Sequence, residues 1–99
     1  MDKIIEIMDD ISTNIDEAFE KVEKAYRLKD HCPHYAEWLV SMATAHLSFN
    51  SKGLEAMERM LEAHKEHAGE HFMKFCTMWK THAMQKSSKV KAMIETFPK

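Results

Sequence analysis

The sequence is short of the residues that turns and strands require. Its 99 residues include only two glycines and two prolines, which leaves room for few turns. Alternation of apolar and polar residues, the mark of a half-buried strand, is nowhere sustained. We therefore predict an all-α protein, and its length predicts a single domain with one core.

Long apolar runs and cysteine motifs are also missing. No run approaches the ~18 apolar residues of a membrane span, and the first residues lack the basic-then-apolar order of a signal peptide. We therefore expect a cytoplasmic protein with no membrane partner. Its two cysteines, Cys32 and Cys76, form no Cys-x-x-Cys pair, so we expect reduced packing residues rather than a disulfide or a nucleophile.

Motifs for catalysis and cofactor binding are absent as well. The sequence shows no nucleophile with a matched base, no pair of facing carboxylates and no glycine-rich phosphate loop. We therefore predict that the protein is not an enzyme and binds no cofactor. Methionine is abundant instead, at nine residues, and it typically fills cores and adaptable binding surfaces.

Three segments carry apolar residues at the alternating spacings of four and three that mark one face of a helix. The first stripe runs from Ile4 to Ala25 and predicts a helix over about residues 2–29, which an Asp-His-Cys-Pro sequence then stops. The last predicted helix follows Gly69 and spans about residues 70–97.

The middle helix, predicted over about residues 34–67, contains two weak helix formers. Its predicted buried stripe comprises Tyr35, Leu39, Met42, His46, Phe49, Leu54, Met57, Leu61, His64 and Ala68. Asn50 and Gly53 interrupt this stripe, and glycine costs about 1 kcal/mol against alanine inside a helix. Because the phase of the stripe survives the interruption, we prefer one helix kinked near residues 50–53 to two separate helices. The predicted fold is an up-down-up three-helix bundle with a kinked middle helix.

The predicted bundle leaves six apolar side chains outside its main stripes. They are Ile5, Phe19, Tyr26, Trp38, Phe75 and Met78. Exposed to water, they would form a larger apolar patch than small monomers normally carry. We therefore predict a homodimer in which these side chains form the interface and the second chain completes the bundle.

Charge is distributed unevenly although the net charge is only −2. Residues 1–30 carry nine acids and five bases, whereas residues 70–99 carry two acids and six bases. The preferred interpretation is attraction between neighbouring helices through solvated faces. Two alternatives stay open, an acidic first helix that mimics DNA and a basic last helix that binds nucleic acid. Six lysines without an arginine fork make nucleic acid the weaker partner.

Three histidines recur at spacings that suit a metal ion. His64, His67 and His71 would share one face if a helix ran through Gly69, and imidazoles so arranged bind Zn²⁺, Ni²⁺ or Cu²⁺. Glycine at this point favours a helix end instead. We therefore prefer surface histidines near a helix terminus and keep the metal site as the alternative.

Two stretches carry a resemblance to a known family. Residues 27–38, Arg-Leu-Lys-Asp-His-Cys-Pro-His-Tyr-Ala-Glu-Trp, and residues 88–93, Ser-Lys-Val-Lys-Ala-Met, resemble the helix 1 to 2 junction and the C-terminal end of small ferritin-like proteins of unknown role encoded in bacterial phages and prophages. The resemblance implies a compact helical scaffold and a phage-type genomic setting, and a dimer is compatible with it. Ferritin-like proteins ligate iron through Glu and Glu-x-x-His, but the nearest positions here hold Phe19, Ala45 or His46, and Phe49. The di-iron chemistry therefore does not carry over.

The expected function is that of a non-enzymatic protein-interaction module. The resemblance implies a small phage or prophage accessory protein, and we expect it to bind or inhibit a host or phage protein through a helix face. The alternative is a ferritin-like metal-binding protein that uses histidines in place of the lost carboxylates.

Overall fold

The computed structural model describes residues 2–98 and contains three α-helices in that range. They are α1 (Asp2–Leu28), α2 (Pro33–Ala63) and α3 (Glu70–Glu95). The helices run up, down and up along a rod of 54 × 17 × 15 Å. The predicted all-α three-helix bundle is therefore confirmed. Within residues 2–98, none of the helices combines the length and the apolar character that crossing a membrane requires.

Three apolar clusters fill the bundle from one end to the other. The end of the bundle at which α1 begins is filled by Ile4, Met8, Met57 and Cys76. The middle cluster contains Ile11, Ile15, Ala18, Val22, Ala43, Ala83 and Val90. The opposite end is filled by Ala25, Ala36, Leu39 and Phe97. Helix α1 contributes to all three clusters at the predicted four-and-three spacing, so its buried face runs along the whole length of the core.

The buried face of α2 differs from the predicted stripe. Its core positions are Ala36, Leu39, Ala43, Asn50 and Met57. Phe49 is instead 68% exposed and Tyr35 is 41% exposed, so the prediction that these two rings lie in the core is wrong. The physical reason is close helix packing, since alanine and glycine on the true face let α1 approach α2 nearer than aromatic rings would allow.

Gly53 is where this close approach is most evident. A Cβ atom added to Gly53 would lie 3.0 Å from Cγ1 of Ile11 and 3.2 Å from its Cδ1. The missing side chain thus makes room for an isoleucine of α1. Helix α2 runs without a break through both Asn50 and Gly53, because packing against α1 offsets the weak helix propensity of the two residues.

Helix α2 ends at Ala63, four residues before the predicted end. Residues 64–67 form a turn, in which the backbone N–H groups of His67 and Ala68 both donate to the carbonyl of His64, at 2.9 and 2.8 Å. Side chains at positions 62–67 are all exposed. Without an apolar face to bury, further helical turns gain no stabilisation from packing.

Candidate protein-interaction site

Three consecutive residues of α2 point to three different surroundings. Ser48 lines a groove beside α3, Phe49 is 68% exposed, and Asn50 is only 2% exposed. Successive residues of a helix are about 100° apart, so α2 has three faces. We call them the groove face, the outer face and the core face.

The groove face borders an open cavity of about 480 Å³ between α2 and α3, which we call the α2–α3 groove. Of the three helix pairs, α2 and α3 have the fewest residues in contact. The apolar part of the lining comes from Leu47, Leu54, Met84 and Ile94. The small polar part comes from the hydroxyl residues Thr44, Ser48, Ser51, Ser87 and Ser88. The α2–α3 groove thus has an apolar floor, formed by these four side chains, and walls of short hydroxyl side chains, and it is open to solvent.

The dimensions of the groove suit a short helix. Between Thr44 and Leu54 helix α2 rises about 15 Å, which corresponds to roughly three turns. Low walls of serine and threonine let a helix backbone come close, and the apolar floor can accept one stripe of an amphipathic helix. An ion pair between Lys80 and Glu58 also joins α3 to α2. Lys91 and Glu95 of α3 line the groove beside its apolar residues.

The outer face of α2 carries a second apolar series, which we call the outer seam. It consists of Tyr35, Trp38, Met42, Ala45 and Phe49, at spacings of three and four. Two of its rings are already held in place, because those of Tyr35 and Trp38 stack with centroids 5.8 Å apart and planes 15° apart. Lys24 of α1 places Nζ 5.4 Å from the centroid of the Tyr35 ring. Rings fixed in this way lose little entropy when a partner covers them.

Sequence reasoning missed the outer seam because it assigned Tyr35, Met42 and Phe49 to the core. A signal was present in the charge pattern. Residues 38–51 include no Asp, Glu, Lys or Arg, although a helix with only one buried face has charged residues on the opposite side. A charge-free run of this length indicates a helix with more than one apolar face.

A polar cluster lies between α1 and α2. Nδ1 of His46 is 3.1 Å from Oδ1 of Asn14, and because that oxygen only accepts, Nδ1 carries the proton. Nε2 of His46 lies 3.5 Å from Oε2 of Glu17 but has no hydrogen-bond partner within residues 2–98. A di-iron centre needs several carboxylates as well as imidazoles, and one imidazole with one carboxylate does not supply that ligand set.

Asn50 adds two polar atoms that have no hydrogen-bond partner. Its side chain is buried on the core face one turn beyond His46, and neither Oδ1 nor Nδ2 is bonded within residues 2–98. Buried polar groups without partners destabilise a fold by about 1–3 kcal/mol each.

The three histidines of the alternative metal site are spread over a helix end, a turn and a helix start. His64 terminates α2, His67 lies in the turn, and His71 belongs to the first turn of α3. The break at Gly69 removes the continuous helix that would have aligned them. In the part of the chain that the structure describes, no group of three or more His, Cys, Asp or Glu side chains could hold a metal ion.

The six side chains predicted for a dimer interface divide into two sets. Ile5, Trp38, Phe75 and Met78 are exposed, at 44, 53, 54 and 68%. Phe19 instead packs against the middle cluster, and the Tyr26 hydroxyl donates to the carbonyl of Met93 at 2.7 Å. The Tyr26 ring also meets Phe97 edge to face at 5.2 Å. Phe19 and Tyr26 thus pack within their own chain, because α3 covers that side of α1.

The two cysteines also differ in their surroundings. Both are free, and Cys76 is buried whereas Cys32 is exposed. Burial raises the pKa of the Cys76 thiol, so this residue stays neutral and packs as predicted. Cys32 precedes Pro33 at the start of α2, and its exposure contradicts the packing role predicted for it.

Comparison with known proteins adds no relative to this picture. No protein-family model, curated protein or solved structure matches the chain. The candidate site consists of the α2–α3 groove and the outer seam, which were described above from the structure alone.

Proposed function

We propose that the protein is a non-enzymatic interaction module that holds a helix of another protein in the α2–α3 groove. The observation that carries this proposal is the groove itself, with its apolar floor and its low hydroxyl walls. It lies along two neighbouring helices of a three-helix bundle, where a fourth helix of a larger bundle would pack. The partner takes the place of that helix.

The chemistry of the groove defines the partner helix. About three turns fit beside Thr44 to Leu54, so the partner presents apolar residues at spacings of three and four over about ten residues. Its flanks carry small or polar side chains, which meet the hydroxyls of Ser48, Ser51 and Ser88. A site of this size supports a reversible complex rather than a permanent one.

We further propose that the protein is an accessory protein of a phage or prophage and that it binds or inhibits a host or phage protein. The resemblance of residues 27–38 and 88–93 to small phage-encoded ferritin-like proteins supports this setting. The lack of catalytic motifs in the sequence supports an effect through binding. Neighbouring genes for tail, lysis or anti-defence proteins are the genomic pattern that this proposal predicts.

Site-specific photo-cross-linking in the native cell tests the groove. A photoreactive side chain at Ser88, which is exposed and lines the groove, should give one defined protein adduct that identifies the partner. The purified partner should then bind the Ser51→Arg/Ser88→Arg variant at least about tenfold more weakly, or about 1.4 kcal/mol, because two long charged side chains fill the groove.

The matched control places the same side chain on another surface. Thr13 is exposed on α1 and does not line the groove, so Thr13→Arg should leave the dissociation constant unchanged. If the partner binds the double groove variant as tightly as wild type, the groove is not its docking site. Absence of any adduct that depends on the groove would also overturn the proposal.

A further inference from the structure

We propose that the outer seam is a self-association site at which the α2 helices of two copies pair antiparallel. This second surface is separate from the α2–α3 groove, so a pair of chains keeps both grooves open. The proposal does not depend on the function assigned to the groove.

The charge pattern favours a second copy as the occupant of the outer seam. The chain is 30% charged, so a stretch as long as residues 38–51 would hold about four charged residues, yet it holds none. A neutral surface offers a foreign partner no charge to complement, whereas two identical neutral surfaces meet without repulsion. Interfaces between copies of one chain are typically apolar and depleted of charge at their centre.

The order of side chains along the seam favours an antiparallel arrangement. In that arrangement Trp38 faces the partner's Phe49, and Met42 faces the partner's Ala45. Each layer combines a ring with a ring or a large side chain with a small one, as close packing of two helices requires. A parallel arrangement would instead place Lys52, the next position of the series, opposite its own copy, and it would align the two helix dipoles.

The exposed area of the seam sets the expected strength of pairing. Aromatic side chains bury about 150–250 Å² each, so exposures of 41, 53 and 68% at Tyr35, Trp38 and Phe49 leave roughly 300 Å² of ring surface per chain. Two chains therefore cover about 600 Å² through these rings alone. Met42 and Ala45 add apolar surface to this area, which lies at or below the ~1,200 Å² at which specific interfaces begin. We therefore expect a weak, reversible pair rather than a permanent dimer.

Sedimentation equilibrium of the full chain tests self-association. The wild-type mass should rise with concentration from 11.6 kDa to about twice that value. Phe49→Glu should remain at the mass of one chain, because it places two charges in the aromatic layers. Circular dichroism should show an unchanged helix content, since the Phe49 side chain is 68% exposed.

The matched control is Phe75→Glu, which changes an exposed ring on α3, at 54% against 68% for Phe49. It should self-associate as the wild type does. If Phe75→Glu abolishes pairing and Phe49→Glu does not, the interface lies on α3 and the proposal is wrong. A wild-type chain that stays at 11.6 kDa up to millimolar concentration overturns it as well.

Disulfide formation tests the direction and register of the two helices. Both variants are made in a background that lacks Cys32 and Cys76, one with Trp38→Cys and the other with Phe49→Cys. When the two chains are mixed they should cross-link, because position 38 of one faces position 49 of the other. The remaining Trp38 and Phe49 still form one aromatic layer that holds this mixed pair together. Neither chain should cross-link with itself, since like positions lie about 16 Å apart along the axis. Self-cross-linking of each chain alone would show a parallel pair and contradict the proposed arrangement.

Discussion

Ile15→Asp should unfold the protein at room temperature. Ile15 is 3% exposed and belongs to the middle cluster, between the two ends of the bundle. The substitution removes a large apolar side chain and buries a carboxylate among apolar neighbours, which costs several kcal/mol. Domains of this size are stable by only about 5–15 kcal/mol. Circular dichroism and thermal melting should therefore show loss of most helix and of the cooperative transition.

Thr13→Asp is the control for this experiment. It adds the same charge to the same helix at an exposed position, so its melting temperature should stay within a few degrees of the wild type. If Ile15→Asp has the same melting temperature as Thr13→Asp, the apolar stripe of α1 is not buried in the core.

Asn50→Asp should destabilise the protein far more than Phe49→Asp, although the two positions are adjacent. Asn50 is 2% exposed and Phe49 is 68% exposed. Aspartate has nearly the shape of asparagine, so its effect at position 50 reports the cost of a buried charge, of the order of several kcal/mol. Phe49→Asp should change the free energy of unfolding of the monomer by less than about 1 kcal/mol.

The loss at position 50 should also depend on pH. Burial raises the pKa of the introduced carboxyl above its unfolded value of about 3.9. Relative to wild type, the variant should therefore be most stable below that value, where both states are protonated. It should lose about 1.4 kcal/mol per pH unit as the pH rises from there to the folded pKa. A difference from wild type that stays constant between pH 3 and pH 7 would mean that position 50 is solvated.

The sequence was sufficient to predict the number of helices and the buried face of α1. That face is unambiguous because large aliphatic residues from Ile4 to Val22 repeat on one side, with charged residues on the other. On α2 the same reasoning was right about Leu39 and Met57, which are buried, but wrong about Tyr35 and Phe49. The rings of Tyr35 and Phe49 offer more apolar surface than Ala36 and Ala43, but small residues allow the closer helix contact.

The candidate site could be predicted only in part for the same physical reason. Exposed apolar side chains at Trp38 and Phe75 follow from their position outside the stripes. The α2–α3 groove does not, because it depends on the distance between two helices, which the side chains of a third helix determine. The inward packing of Phe19 and Tyr26 likewise depends on where α3 lies against α1.

Helix α2 has three distinct faces, and thiol labelling at three successive positions tests this division most directly. Ser48→Cys, Phe49→Cys and Asn50→Cys are made singly in a background that lacks Cys32 and Cys76, and their reaction with a thiol reagent is timed in dilute native protein. We predict fast reaction at positions 48 and 49, which lie on the groove face and the outer face. The cysteine at position 50 should react only as fast as the bundle opens, because its surroundings are buried. Equal rates at positions 49 and 50, or protection of position 49 with fast reaction at position 50, would show that Phe49 and Asn50 do not lie on an exposed and a buried face of α2.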